Sequence, residues 1–198
     1  MARRSRRELR DNLYRVAETQ AGWFTAKQAL ESGYTYPAQA YHASQGNWIR
    51  MDRGIYRLNA WPATDREDLV RWTLWSRERG VISHATATSM HGLGDLNPAQ
   101  IHMTVPKGFR ASASGVVLHR GVLPDADVER HAGYRITTPL RSILDVAALG
   151  IEEERLIAVI SDALRRGVTT RKQLRERADI VGPAAALRIE RCVERAGA

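Results

Sequence analysis

One stretch of the chain, residues 25–58, carries a close succession of helix caps, turn residues and short apolar runs. Thr25 is suited to cap the N-terminus of a helix, and Gln28 three residues later completes a capping box. Thr35 is suited to begin a second short helix, because Pro37 then falls in the first turn, where amides have no intrahelical acceptor. The stretch therefore predicts two short helices separated by a tight turn.

Two runs typical of β-strands follow the second predicted helix. Trp48–Met51 and Ile55–Leu58 are rich in β-branched and aromatic residues, and Asp52-Arg53-Gly54 joins them. Gly54 supplies the positive φ that a tight hairpin turn requires. Two helices followed by a two-stranded wing define a winged helix-turn-helix, a motif that lays its second helix in the major groove of DNA.

The predicted fold class is α+β, with two domains. Residues 1–62 are expected to form the winged helix-turn-helix domain, because Pro62 ends the last strand and the composition then changes. Residues 63–198 are expected to form a mixed, helix-rich domain with a small sheet.

Helix caps and apolar periodicity place the elements of this second domain. Thr64 and Ser83 are the expected N-caps of its first two helices. Thr138 followed by Pro139 predicts the start of a third, and three more helices are expected between residues 152 and 196. The runs that predict its small sheet are 101–106, 116–119 and 134–136.

Positive charge is concentrated at the N-terminal end of the chain. The formal net charge is +8, and residues 1–62 hold ten Lys and Arg against five Asp and Glu, a net of +5. The remaining residues hold twenty against seventeen, a net of only +3. This distribution favours a polyanionic partner for the first domain. A basic arm before the first helix either neutralises phosphates or is a solvated terminus, and it consists of Arg3, Arg4, Arg6 and Arg7.

The second helix of the motif supplies the candidates for reading DNA. Ala40 and Ala43 are small apolar residues at helical spacing and are predicted to border the interior. The helix phase leaves Gln39 and His42 open as alternatives to the residues facing the groove. Glutamine can pair with adenine, whereas tyrosine and serine more often hold phosphates. With the arm and the wing included, the predicted DNA-binding residues are Arg3, Arg4, Arg6, Arg7, Thr35, Tyr36, Gln39, Tyr41, Ser44, Gln45, Arg50, Arg53 and Arg57.

The sequence predicts no catalytic residues, no metal site and no cofactor. His84 and His91 lie seven residues apart, but zinc ligands on a helix favour a four-residue spacing with further ligands nearby. Ser83 and its neighbouring histidine lack the pattern of a nucleophile elbow, and no Gly-rich phosphate loop is present. Three isolated helical carboxylates are expected to form salt bridges rather than to act as acids: Asp145, Asp162 and Glu190.

The remaining composition is that of an ordinary soluble protein, with 43% hydrophobic and 26% charged residues. A single cysteine, Cys192, excludes an internal disulfide and fits a reducing compartment. No apolar run approaches membrane-spanning length, and the basic N-terminus lacks the apolar stretch of a secretory signal. The expected location is the cytoplasm, without membrane association.

Three blocks of the sequence resemble the AbiEi antitoxins of type IV toxin–antitoxin systems. In chain order they read G-N-W-I-R-M-D-R-G-I-Y-R-L, S-H-A-T-A-T-S-M-H-G-L and T-T-P-L-R-S-I-L-D-V-A. The similarity extends roughly from Leu9 to Ala148. It implies an N-terminal winged helix-turn-helix that binds inverted repeats in the promoter of its own operon. It also implies a C-terminal antitoxin domain that counteracts a nucleotidyltransferase-type toxin without forming a stable complex.

The resemblance also implies roles for particular residues. Residues 36–45 would form the recognition helix, and Arg50, Arg53 and Arg57 would be phosphate contacts of the wing. Related chains that share the first two blocks continue into a Vsr-like endonuclease domain, but the helices after residue 149 carry no acidic cluster typical of a nuclease. The expected function is therefore antitoxin action with transcriptional autoregulation and no enzymatic turnover.

Three alternatives remain open from the sequence. The first is a stand-alone repressor whose C-terminal domain dimerises or senses a ligand, which an apolar pocket there would favour. The second is a degenerate nuclease-related protein, which carboxylates converging in space would favour. The third is a protein-docking adaptor, which a neutral or acidic surface around Tyr41 and Arg53 would favour.

Overall fold

A computed structural model describes residues 5–196, and their contacts group them into two compact units. The first unit runs to Glu78 and includes residues 131–134, and the second contains the rest. Helices and two small sheets are present together, so the α+β prediction is confirmed. The division of roles at residue 62 is not tested by these contacts and stays a prediction.

The first unit has the element order of a winged helix-turn-helix. Its helices are α1 (Arg6–Glu18), α2 (Ala26–Glu31), α3 (Tyr36–Ser44) and α4 (Glu67–Trp75), and its strands are β1 (Trp23–Thr25), β2 (Trp48–Asp52) and β3 (Ile55–Leu58). The strands form an antiparallel sheet in the order β1-β3-β2. The two predicted helices and the predicted hairpin are all present, whereas β1 was not predicted.

Side-chain caps fix where these helices begin. Thr25 Oγ1 accepts a hydrogen bond from the Gln28 amide at 3.2 Å, and Gln28 Oε1 accepts one from the Thr25 amide at 2.8 Å. This reciprocal pair is the predicted capping box. Thr35 caps α3 by accepting from the Ala38 amide, with Pro37 in the first turn, as predicted.

Helix α4 begins later than the sequence predicts. Its N-cap position is Arg66, which makes no side-chain cap, so the prediction that Thr64 caps it was wrong. Thr64 instead precedes a turn in which its carbonyl accepts from the Glu67 amide at 3.2 Å. Glu67 Oε1 accepts from the Thr64 amide, and this local turn occupies the groups that would have capped a longer helix.

Aromatic side chains form the core of the first unit. Trp23 and Phe24 are buried, and the Phe24 ring meets the Trp48 ring edge-on with 4.8 Å between centroids. Gly22 lies in the turn immediately before β1, and this turn places β1 in the core. Its φ is +84°, and a Cβ there would lie 2.3 Å from Trp61 Cγ, so only glycine fits.

The second unit combines a five-stranded sheet with a set of helices. Its strands are β4 (Val81–Ile82), β5 (Ile101–Val105), β6 (Val116–Arg120), β7 (Val128–His131) and β8 (Tyr134–Thr137), in the order β6-β5-β4-β8-β7. Of these strand residues, only His131 and Tyr134 are grouped with the first unit. Its helices are α5 (His84–Met90), α6 (Pro139–Leu149), α7 (Glu153–Arg165), α8 (Arg171–Arg177) and α9 (Pro183–Arg195). The predicted small sheet is present, and β4 and β7 are strands that the sequence did not indicate.

The core of the second unit lies among its helices. Fully buried apolar residues of α6, α7 and α9, such as Leu144, Ile160 and Ile189, form one continuous cluster. Thr138 caps α6 by accepting from the Arg141 amide at 3.3 Å, as predicted from the Thr-Pro pair. Cys192 is buried in the same cluster as a free thiol. Over residues 5–196, no helix has the length and apolar character needed to cross a membrane.

Candidate functional site

The face of α3 that points to solvent carries most of the residues predicted to read DNA. Tyr36 and Tyr41 are 66% and 60% exposed, and Ser44 and Gln45 are exposed as well. Ala40 lies on this same face, so the prediction that it borders the interior was wrong. Thr35 is exposed at the helix start, where its hydroxyl serves as the cap.

Gln39 points inward and does not belong to this surface, contrary to its predicted role. It is 1% exposed, and its Nε2 donates to the carbonyls of Ala26 at 3.1 Å and Tyr34 at 3.0 Å. These bonds tie α3 to the start of α2 and to the turn between the helices. The burial of this polar amide is stabilised because it donates to two carbonyls that would otherwise lack hydrogen-bond partners.

His42 is half-buried and packs against the sheet. Its ring stacks on Trp48 at 4.8 Å between centroids, and its Nδ1 lies 3.3 Å from Asn47 Nδ2. Burial lowers the pKa of His42, so it is neutral at physiological pH. The orientation of α3 is therefore determined. The side that carries Gln39 and His42 faces the core, and the side that carries Tyr36, Ala40, Tyr41 and Ser44 faces solvent.

The β2–β3 hairpin presents two arginines to solvent. Arg50 lies on β2, the edge strand of the sheet, and Arg53 lies in the turn. Both are exposed, and neither forms an ion pair with a carboxylate in the described part of the chain. Ile49 and Met51 beside them are each 38% exposed, which gives the hairpin a mixed cationic and apolar surface.

Arg57 does not contribute to this surface, contrary to prediction. It is 8% exposed, its Nη2 lies 2.7 Å from Glu67 Oε1, and the same nitrogen donates to the Trp61 carbonyl at 2.8 Å. Its position on β3, the central strand, explains the difference, because Trp23 and Ile49 flank it from the neighbouring strands. Arg57 therefore links the hairpin to α4 and is not available to a phosphate.

The arginine arm is described only in part. Arg6 and Arg7 form the first turn of α1 and are exposed, and Arg7 lies 3.7 Å from Asp11. Surface pairs of this kind are weak and leave the arginine accessible to a phosphate. Arg3 and Arg4 lie outside the described residues.

The second unit brings together three histidines that the sequence separates. His84 begins α5, His102 lies on β5 and His119 lies on β6. The rings of His84 and His119 stack with 3.5 Å between centroids, and His102 Nδ1 lies 3.1 Å from His119 Nε2. We call these three residues the histidine cluster. Sequence reasoning missed it, because only the β5–β6 register and the start of α5 place the three side chains together.

The backbone is strained where the histidine cluster meets α5. His84 has a φ of +53°, a conformation that costs a side-chain-bearing residue about 1 kcal/mol. Its Nδ1 hydrogen bonds with Ser83 Oγ at 2.8 Å, and Thr104 Oγ1 donates to the same serine oxygen at 2.8 Å. Ser83 occupies the predicted N-cap position but makes no capping bond, because its hydroxyl is engaged by these two side chains.

Burial sets the protonation state of the histidine cluster. Desolvation, helped by the neighbouring rings, lowers the pKa of His84 to about 2 and that of His119 to about 4. Asp145 Oδ2 lies 3.9 Å from His84 Nδ1, but with the histidine neutral this contact is not an ion pair. Burial also raises the pKa of Asp145 to about 6, in spite of the nearby Arg141.

A buried ionic network adjoins the histidine cluster. Arg141 donates to Asp145 at 2.7 Å and to Asp127 at 3.2 Å, and Arg177 pairs with Asp127 at 2.8 Å. The predicted salt-bridging role of Asp145 is therefore confirmed. The same prediction holds for Asp162 with Arg165 and for Glu190 with Arg175.

This part of the second unit does not have the geometry of a nucleophilic or metal centre. Ser83 is fully buried, so its hydroxyl has no access to a substrate. Within residues 5–196, no three His, Cys, Asp or Glu side chains are arranged to hold a metal ion. Helices α5 and α6, which carry the second and third sequence blocks, contact each other beside the histidine cluster, since Thr88 of α5 donates to the Ser142 carbonyl of α6.

Together, these features describe a two-unit α+β protein whose first unit fits a winged helix-turn-helix and whose second unit is a separate sheet-and-helix body. Residues 80–194 match the family model described as the AbiEi antitoxin C-terminal domain. The match spans more than half of the chain, and the chain belongs to the AbiEi antitoxin family.

The fold also has a counterpart among solved structures. The crystal structure of the RV2827C protein from Mycobacterium tuberculosis matches 99% of this chain and 79% of that chain, with a TM-score of 0.66. The two sequences are 15% identical, so the similarity concerns the fold alone. No curated protein matches the chain.

Proposed function

We propose that the protein is the antitoxin of a type IV toxin–antitoxin system and that it represses its own operon by binding inverted repeats in the promoter. The DNA-binding surface consists of the exposed side of α3, the β2–β3 hairpin and the arginines at the start of α1. The antitoxin role is assigned to the second unit, against a nucleotidyltransferase-type toxin and without a stable complex. The proposed location is the cytoplasm.

The DNA-binding proposal rests on two exposed arginines of the hairpin, next to the exposed side of α3, that form no ion pair with any carboxylate of residues 5–196. Arg50 and Arg53 follow the helix that the motif places in the major groove, where they can neutralise flanking phosphates. The exposed tyrosines of α3 have ring area and a hydroxyl available for DNA. A protein-docking helix-turn-helix would not need this combination of exposed cations and a protruding helix face.

Family membership supports the antitoxin part of the proposal. The matched region, residues 80–194, lies almost entirely in the second unit, apart from residues 131–134. The first unit is thereby left to supply a different activity, and its net positive charge suits DNA.

Binding of the protein to duplex DNA from its own promoter tests the proposal. Fluorescence anisotropy at several salt concentrations should show affinity that falls as salt rises, with a log–log slope of about −4 to −6. Arg53→Ala should weaken binding to every sequence and reduce the magnitude of that slope by about 1. The matched control is Arg110→Ala, an exposed arginine of the second unit, which should bind as the parent does.

Absence of binding in dilute buffer would exclude the DNA-binding part of the proposal. Equal losses in Arg53→Ala and Arg110→Ala would show that binding depends on overall charge and not on the hairpin.

A further inference from the structure

The exposed side of α3 carries no charge. None of the residues 36–45 is Asp, Glu, Lys or Arg, and the two that were open alternatives for base contacts, Gln39 and His42, are turned toward the core. The exposed residues of this segment are two tyrosines, a proline, an alanine, a serine and a glutamine: Tyr36, Pro37, Ala40, Tyr41, Ser44 and Gln45.

Local hydrogen bonds narrow this set further. Ser44 Oγ donates to the Tyr41 carbonyl at 2.8 Å, so its proton is already used within the helix. The Gln45 side chain makes no hydrogen bond within residues 5–196, and it is exposed at the C-terminal end of α3. The exposed side of α3 therefore offers the free amide of Gln45, the methyl group of Ala40, the Pro37 ring and two tyrosine rings with their hydroxyls.

These groups match one class of base pair better than the other. In the major groove guanine presents two acceptors, which proteins read most often with arginine or lysine, and cytosine presents a donor, which carboxylates accept. Adenine is read by the amide of Gln or Asn, and thymine by apolar contact with its C5 methyl group. The exposed side of α3 has the amide and the apolar groups that read A·T pairs. It lacks the arginine, lysine and carboxylate side chains that read G·C pairs.

The arginines of the first unit do not reverse this preference. Arg50 and Arg53 lie on the hairpin and Arg6 and Arg7 on α1, outside the helix assigned to the major groove. Contacts from such flanking elements go mainly to phosphates, or to the narrow minor groove of A·T tracts, whose negative potential attracts arginine. Both kinds of contact are compatible with A·T pairs under the helix.

We infer that α3 reads A·T base pairs, with the Ala40 methyl group and the Tyr41 ring against thymine methyl groups and the Gln45 amide against an adenine edge. This inference rests on the proposed function and names the class of DNA sequence that the same surface takes. The partner is a duplex whose half-site beneath α3 is rich in A·T pairs and lacks a required guanine.

Base analogues test the inference directly. The full chain is first used to select duplexes from a random library, and Kd values are then measured on the selected site by anisotropy. Replacing the thymidines under α3 by deoxyuridine, which lacks the C5 methyl group, should weaken binding roughly three- to tenfold. Replacing guanines by 7-deazaguanine, which lacks the N7 acceptor, should leave Kd unchanged.

Variants assign the effect to the helix. The parent should prefer A·T over other base pairs roughly five- to tenfold at the position read by Gln45, and Gln45→Ala should abolish this preference. The variant should keep the loss of affinity caused by deoxyuridine at the other positions. The matched control is Gln100→Ala, an exposed glutamine of the second unit, which should select and bind as the parent does.

Three outcomes would overturn the inference. Selection of G·C pairs with sensitivity to 7-deazaguanine would show that α3 reads guanine. Salt-sensitive binding with no sequence preference and no response to deoxyuridine would refute the inference and leave the proposed DNA-binding function in place. Failure to bind any duplex in dilute buffer would remove the proposed DNA-binding function as well.

Discussion

Three arginines within eight residues of one hairpin have different environments. Arg50 and Arg53 extend into solvent, but Arg57 is buried against Glu67 and the Trp61 carbonyl. Because β3 is paired on both sides, a long side chain at position 57 is enclosed by its neighbours. Arg57 therefore stabilises the first unit, whereas the other two remain available to an anion.

The first expected consequence concerns Arg57→Ala. Removing the guanidinium leaves Glu67 and the Trp61 carbonyl without their partner, which should lower the free energy of unfolding by about 2 kcal/mol. The figure is at the low end for a buried pair because Glu67 keeps 23% of its side chain exposed. Urea denaturation followed by tryptophan fluorescence measures it. Arg50→Ala is the control and should change the unfolding free energy by less than about 0.5 kcal/mol. A stable Arg57→Ala variant with weakened DNA binding would contradict this assignment.

At the scale of helices and strands, the elements set by local chemistry were predictable from the sequence. The Thr25–Gln28 capping box, the Thr35 cap and the Gly54 turn each depend on residues within four positions of one another. Strand β1 was missed, because its three residues form a strand only through pairing with β3. Short segments carry too little periodicity to indicate such pairing.

Side-chain roles were predictable only where the local pattern determines burial. The exposed side of α3 was assigned correctly at Tyr41 and Gln45 but wrongly at Gln39 and Ala40, a shift of one position. Apolar residues usually face the core and polar residues face solvent, but in α3 a polar residue is buried. Gln39 is buried because it donates to the carbonyls of Ala26 and Tyr34. Nothing local to residue 39 signals those acceptors.

The histidine cluster is a case in which the site depends wholly on how elements assemble. His102 and His119 lie seventeen residues apart and meet only because β5 and β6 pair in parallel, while His84 reaches them from α5. The sequence offers isolated histidines, and none has a spacing that indicates the others. Their consequence is a pH response that the sequence could not have indicated.

Acidification from pH 7 to pH 5 should destabilise the second unit. His84 and His119 have folded pKa values of about 2 and about 4, below the ordinary 6.5, so the unfolded chain takes up protons that the folded chain does not. Their contribution is present above pH 6.5 and is lost as the pH falls. Asp145 acts in the opposite sense, since its pKa of about 6 in the folded state favours the folded chain as it protonates below that pH.

The effect of the two histidines exceeds the opposite effect of Asp145. The free energy of unfolding should therefore fall by about 1–2 kcal/mol between pH 7 and pH 5, after allowing for solvent around His119. Urea denaturation midpoints at the two pH values, followed by circular dichroism, measure it. His119→Asn should reduce the loss, whereas His131→Asn, at an exposed position, should not. A midpoint that stays constant or rises on acidification would show that the cluster does not control stability.

At the scale of the whole molecule, the two proposed activities fall on different compact units. The exposed side of α3, Arg50 and Arg53 all belong to the first unit, whereas the region that matches the antitoxin family model begins at residue 80. Each unit has its own apolar core, built around Phe24 in one and around the α6, α7 and α9 residues in the other. Substitutions of exposed residues in one unit are therefore expected to leave the fold of the other intact.

The activities should accordingly be separable by mutation. Arg50→Ala combined with Arg53→Ala removes the exposed cations of the hairpin, so binding to promoter DNA should fall at least tenfold. The same variant should still restore growth when it is co-expressed with the proposed nucleotidyltransferase-type toxin, because neither residue lies in the matched family region. Plating efficiency measures this rescue, and DNA affinity is measured on the same purified protein. A variant that is folded and unable to bind DNA yet also fails to rescue growth would show that both activities require the hairpin surface.

The reverse variant is Arg141→Ala, which breaks the buried network around Asp145 and Asp127 and should impair rescue through loss of the second unit's structure. Retention of DNA binding by that variant would complete the separation.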